Sequence, residues 1–165
     1  MSKYFYRIFF LPLLLSVTSG FAQFCFDVPK ENFYSGKPTI ISNIRFEFNK
    51  PTLDTTSFAC LHQLVDFLKQ HDSLKINVRV HTDTRSAETQ AKYSWKVTES
   101  RAKSIVDYLQ QGIQPERLKC TGMGNTEPLI PDSNIVHLKS PEEIERAHAT
   151  NRRCDFIISC TNFKN

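Results

Sequence analysis

Beyond its first 22 residues the 165-residue sequence has no long apolar run, so nothing after Ala22 reads as a transmembrane segment. It has no large excess of one charge either. The formal net charge is +4, two units of which come from Lys3 and Arg7, and so mild a surplus gives no argument for nucleic acid. No two of its five cysteines stand at the close spacing of a zinc knuckle or a redox pair. His81 has no second His, Cys or carboxylate at ligand spacing, so it reads as a structural imidazole, and no metal or cofactor is expected. Internal repeats and low-complexity tracts are absent. No nucleophile–base pair and no pair of carboxylates has catalytic spacing, which predicts a protein that is not an enzyme.

What is there begins with a leader. Lys3 and Arg7 precede an apolar run from Ile8 to Val17, and Gly20-Phe21-Ala22 puts small residues three and one positions before Gln23. That pattern predicts a secretory signal peptide over 1–22 and a mature chain starting near Gln23 in the periplasm. All five cysteines then lie in an exported, disulfide-permissive chain, and their odd number leaves at least one unpaired. Cys60, Cys120 and Cys154 read as small core residues. Cys25 and Cys160 bracket the domain and are expected to staple its ends.

Residues 23–38 form an irregular, polar lead-in, 39–160 the domain and 161–165 a tail. Thr39 to Phe48 alternates with Ile40, Ile44, Phe46 and Phe48 on one face and predicts a strand that stops at Asn49-Lys50-Pro51. Asp54, Thr55 and Thr56 supply a cap, and Phe58, Leu61, Leu64, Val65 and Leu68 make the apolar stripe of a helix to Gln70. Lys75 to His81 alternates as a second strand. A polar loop over Thr84 to Lys92 leads to a helix whose apolar positions are Val97, Ala102, Ile105, Val106 and Leu109, with Gly112 as a left-handed stop. Leu118 to Gly122 is a short third strand, Gly122 and Gly124 allow a tight loop, and an irregular stretch runs to Ser140. Pro141-Glu142-Glu143 opens a short helix, and Cys154 to Ser159 is the last strand. The order predicts an α+β, two-layer fold with the helices on one sheet face.

Asp83 falls just past the second strand and Arg101 on the following helix. Such a pair has two readings. One is a salt bridge that pins the loop. The other is a receptor for a zwitterion, because an ammonium needs an acceptor-only anion and a carboxylate is matched by a forked cation.

Phe46-Glu47-Phe48-Asn49-Lys50, His81-Thr82-Asp83, Arg101-Ala102 with Val106 and Tyr108-Leu109, Gly112-Ile113, Glu116-Arg117-Leu118, Gly122-Met123-Gly124 with Pro128, and Asn151-Arg152-Arg153 follow in this order. Together they resemble the OmpA-like peptidoglycan-binding domain of Gram-negative cell envelopes, over nearly the whole chain from Ile40 to Ser159. Glu142-Glu143-Ile144-Glu145 is similar to the versions found in Bacteroidetes. The resemblance implies a mixed four-stranded sheet and a non-catalytic module that anchors itself or a partner to the cell wall. It also implies that Asp83 faces the ammonium and Arg101 the carboxylate at the free end of diaminopimelate in a peptidoglycan stem peptide. Asn49, Ser94 and Arg153 match positions that line or adjoin the same pocket.

Alternatives remain open at this stage. Asn49 also fits a turn residue bonded to its own backbone, and Arg152, more than Arg153, fits the solvated start of a strand. The chain departs from the family pattern at Val80 and Ser86, where glycine is usual, at Ser94 in place of Asn, and at Val97-Thr98 in place of Leu-Ser. The interval from Asp83 to Arg101 is also longer than usual. A degenerate domain serving as an interaction piece with outer-membrane or other envelope proteins is the competing expectation.

Overall fold

The computed structural model describes residues 24–29, 33, 36–48, 50–85 and 91–160. The expected signal peptide, the tail, Asn49 and Ser86 lie outside the described residues.

The strands are β1 (Pro38–Ile41), β2 (Leu74–His81), β3 (Leu118–Gly124) and β4 (Cys154–Cys160). They form one mixed sheet in the order β1-β4-β2-β3, with β2 and β3 parallel and the other two pairings antiparallel. The helices are α1 (Phe58–Gln70), α2 (Ala91–Leu109), the single turn α3 (Asp132–Ile135) and α4 (Pro141–Asn151). Ile76, Val78 and Val80 of β2 and Phe156 and Ile158 of β4 point to one face, where they share a buried cluster with Leu61, Leu64 and Leu68 of α1 and Ala102, Ile105 and Leu109 of α2. The α+β architecture expected from the element order is therefore present.

Several local expectations are corrected. The first strand ends at Ile41 rather than running to Phe48, because Asn43 turns the chain with φ 58°, a conformation Asn tolerates. Thr39 and Ile41 are the buried residues, whereas Ile40 and Phe48 are exposed. Beyond the turn, Phe46 bridges Leu53 across a small loop closed by Glu47 N–H donating to Thr52 O at 2.9 Å. The helix α2 starts at Ala91, inside what reads as loop, so Arg101 sits in its middle. Gly112 is not left-handed. The third strand contains Gly122 as expected but runs on to Gly124, which belongs to β3 rather than to a loop after it.

Gly122 is needed where α2 crosses β3. A Cβ there would stand 2.3 Å from the backbone N of Glu99 and 2.7 Å from the carbonyl O of Trp95. Backbone cannot yield as a flexible side chain can, so Gly122→Ala is expected to cost at least about 1–3 kcal/mol. Urea unfolding of the variant measures this, and an unchanged midpoint would contradict the packing described.

The expected Cys25–Cys160 bridge is not formed: Cys25 is bonded to Cys60. That Cys25 and Cys160 flank the domain in sequence does not fix where the lead-in runs. It lies against α1, with Cys25 N–H donating to Gln63 Oε1 at 3.1 Å and Ser42 N–H to Cys25 O at 2.6 Å. Phe26 packs edge-on to Phe67 and Phe156, so part of this polar-looking segment covers the core. Cys154 is a buried free thiol and Cys120 a partly buried one, as small packing residues should be. The bridge closes a separation of 35 residues. In the chain-entropy picture, replacing both cysteines by serine should cost roughly 3–4 kcal/mol. Thermal unfolding with and without reductant tests that, and identical curves would contradict it.

Candidate functional site

The end of β2 is clamped before it delivers Asp83. His81 N–H donates to Arg153 O at 2.9 Å and Thr82 N–H to Gly124 O at 2.8 Å, just beyond a register shift between Val80 and His81. Asp83 is 5% exposed. Its Oδ1 accepts the backbone N–H of Arg85 at 3.2 Å, and its Oδ2 accepts Arg85 Nη2 at 2.8 Å, Arg85 Nε at 3.2 Å and Arg152 Nη1 at 2.5 Å. Both arginines also reach Glu145 on α4, at 2.7 Å and 2.6 Å. Burial alone would raise the Asp83 carboxyl, but the hydrogen bonds and charges of Arg85 and Arg152 outweigh it and hold it below its ordinary value. The same two arginines bring Glu145 down to about 2. Asp83 is therefore an ionised, acceptor-only group at neutral pH.

Arg101 approaches the same cleft from α2. Its guanidinium lies over the Phe46 ring, 5.0 Å from the centroid, and its Nε donates to Lys50 O at 3.2 Å. Burial lowers its pKa from the usual arginine value. Among the described residues no carboxylate is within 4.0 Å of it. The Asp83–Arg101 salt bridge is thus not formed, and Asp83 takes Arg85 and Arg152 instead. Two helical turns before Arg101, the Ser94 hydroxyl is buried and has no hydrogen-bond partner among the described residues. Ser94 is placed firmly, since Thr98 Oγ1 donates to Ser94 O at 2.9 Å and accepts Gly124 N–H at 2.9 Å, tying α2 to β3.

Behind the cleft is a second ionic group. Asp155, opposite Arg79 in the β2–β4 register, is fully buried. Arg79 Nε meets its Oδ1 at 2.7 Å, Arg79 Nη2 its Oδ2 at 3.2 Å, and Arg153 Nε its Oδ2 at 3.3 Å. His81 Nε2 stands 3.0 Å from the same Oδ2, which makes His81 a structural imidazole beside a carboxylate. Glu127 completes the group through Arg79 Nη1 at 3.0 Å. Burial pushes the neighbouring Cys154 thiol up to about 12, so it is no nucleophile.

These elements enclose a cleft of about 880 Å³ lined by the 43–48 segment, the end of β2, Tyr93, Ser94, Val97 and Arg101 of α2, and Arg152 to Cys154. Of the residues expected from sequence, Asp83, Ser94, Arg101 and Arg153 all line it. Asn49 lies outside the described residues. Arg153 lines the wall, but its guanidinium is engaged with Asp155 and with Glu127 O at 3.0 Å. Arg152, read as the solvated start of a strand, is corrected: it is on Asp83 and Glu145. Sequence reasoning missed Arg85 and Glu145. A signal was present, since Glu145 on α4 and Arg152 just past its end are seven residues apart, close to two helical turns, which brings them to the same side. In charge terms, Asp83 and Glu145 offset Arg85 and Arg152, while Asp155 and Glu127 offset Arg79 and Arg153. Arg101 is left as the half-buried cation of the cleft with no described counter-charge.

Comparison with known proteins agrees with this architecture. A family model described as the OmpA family matches residues 45–139. Outer membrane porin F of Pseudomonas aeruginosa is 34% identical over 89 residues, covering 53% of this chain and 25% of that protein. The chain thus spans about a quarter of the length of that relative. Among solved structures, a putative MotB-like protein from Desulfovibrio vulgaris superposes with a TM-score of 0.60 at 26% identity, over 78% of this chain and 75% of the other. The peptidoglycan-associated lipoprotein from Burkholderia pseudomallei shares the fold with a TM-score of 0.56 at 21% identity, over 70% of this chain and 88% of its own.

Proposed function

We propose that this chain, which belongs to the OmpA family, is a non-catalytic module that binds peptidoglycan and so anchors itself or an envelope partner to the cell wall from the periplasm. The free end of diaminopimelate in the stem peptide is the ligand group. Its ammonium faces Asp83 and its carboxylate faces Arg101, with the Ser94 hydroxyl between them as a further hydrogen-bonding group.

The observation that carries this reading is the state of Arg101. A half-buried guanidinium lacking an anion is costly unless something supplies one, and the described residues supply none within 4.0 Å. A ligand carboxylate answers that need in the bidentate geometry arginine favours. The unpartnered Ser94 hydroxyl supports the same conclusion, since buried polar groups are rarely left unbonded. An ionised Asp83 close by suits an ammonium and not a second anion.

Among the described residues no helix is long and apolar enough to cross a membrane. Burial pushes the thiol of Cys154, at the cleft wall, up to about 12. The reading is tested by sedimenting the purified protein with insoluble sacculi. Retention on sacculi containing diaminopimelate, with none on sacculi built on lysine and no released product, is the expected result. Failure to sediment with either would favour a protein–protein scaffold of the same fold.

A further inference from the structure

Arg85 stands on Asp83 in the way a ligand cation would. We infer that Arg85 is an internal competitor for the ligand ammonium, a side chain that covers Asp83 until a zwitterion displaces it and so sets the affinity of the cleft. The inference rests on the peptidoglycan reading above and extends it to a residue of this chain that the reading does not use.

The geometry separates the two arginines on Asp83. Arg152 makes the shorter contact, 2.5 Å, and comes from the junction of α4 and β4, which is fixed by the backbone of both elements. Arg85 is two residues from Asp83 in a surface turn, its contacts are longer at 2.8 and 3.2 Å, and its side chain is 48% exposed. It also has somewhere to go. Its Nη1 already meets Glu145, itself exposed, so the guanidinium can leave Asp83 and remain paired.

Crowding supplies the reason for it to leave. With Arg85 and Arg152 both on Oδ2, an arriving ammonium would be a third cation on one carboxylate, and like charges at such distances repel. Withdrawing Arg85 restores two cations to one carboxylate, now with the ligand as one of them. The exchange costs what the Arg85–Asp83 contact is worth. Asp83 is buried but keeps Arg152, and the half-exposed Arg85 keeps Glu145, so neither charge is left unpaired and that cost is small; the molecules competent to bind are a minor but accessible fraction, and the apparent affinity falls by that fraction.

The consequence is an affinity change of unusual sign. Removing a side chain that touches the binding group should tighten binding. Titration of the mature wild-type protein and of Arg85→Ala with a stem peptide ending in diaminopimelate tests this, beside the same peptide with the free diaminopimelate amine acetylated. Arg85→Ala should bind the amine peptide about three- to tenfold more tightly and leave the acetylated peptide unaffected, because the latter brings no cation to Asp83. An unchanged melting temperature confirms that the variant is folded. Unchanged or weaker binding of the amine peptide by Arg85→Ala, with the wild type still binding, overturns the inference and leaves the peptidoglycan reading standing. Equal tightening towards both peptides also overturns it, since that would be a general opening of the cleft. No binding by either protein removes the peptidoglycan reading and this inference together.

Discussion

Replacing Asp155 by alanine should destabilise the protein by about 3–5 kcal/mol, the largest loss expected from any single polar residue in it. Asp155 is fully buried and is the one anion shared by Arg79, Arg153 and His81. Taking it away leaves two guanidinium groups, both little exposed, with, among the described residues, only the half-exposed Glu127 carboxylate left to pair with Arg79. Glu127→Ala offers the contrast: its carboxylate is largely in water, so its removal should cost under about 1 kcal/mol. Urea unfolding of both variants decides the matter, and similar losses would contradict the picture of a buried ionic group centred on Asp155. The same group should show in acid. Burial would raise the Asp155 carboxyl, yet hydrogen bonds and charge from His81 and Arg79 hold it below its ordinary value, as Arg85 and Arg152 do for Asp83. Groups depressed in the folded state stabilise it fully above the unfolded carboxyl range, near pH 4, and lose that contribution as pH falls through their folded values. Stability should therefore be level just above that range and fall steadily below it.

Arg101→Ala should reduce binding to diaminopimelate-containing wall by at least about tenfold while changing stability modestly. A charge-assisted hydrogen bond contributes roughly 1.5–3 kcal/mol, which is tenfold or more in affinity. Among the described residues the same side chain makes one hydrogen bond to Lys50 O and one contact with the Phe46 ring, together worth about 1–2 kcal/mol. Arg101→Lys keeps the charge but loses the fork, and should bind between the two. Asp83→Ala should also weaken binding, but it is the less clean variant, because Asp83 braces its own turn through Arg85 N–H and neutralises two arginines. A loss of binding on Arg101→Ala matched by an equal loss of folded protein would contradict the assignment.

The helices and the central strand were legible because their signals are local. The stripe from Leu61 to Leu68, the alternation from Lys75 to His81 and the spacing from Ala102 to Leu109 each report which residues turn inward, and all are buried as expected. The first strand misled because its alternation continues through a turn at Asn43, and period two cannot distinguish one strand from two extended pieces. The need for glycine at 122 was not legible, because sequence shows what glycine permits and not which backbone approaches it. The disulfide was illegible for a similar reason, as the path of the lead-in is fixed by tertiary packing of Phe26 on Phe67. In the site, motif order brought Asp83, Ser94 and Arg101 to one cleft. It did not reveal which cation neutralises which anion. Arg85, Glu145 and Arg152 each look like ordinary surface charge until the turn after β2 and the end of α4 are placed side by side.

The central claim, that a zwitterion spans Asp83 and Arg101, is tested most directly by titration calorimetry with two stem peptides that differ only in carrying diaminopimelate or lysine. Lysine lacks the carboxylate that Arg101 would hold. The wild-type protein should bind the diaminopimelate peptide at least about tenfold more tightly, and Arg101→Ala should bind both with the same weak affinity. Equal affinity of the wild type for the two peptides, or no binding to either, would contradict the account.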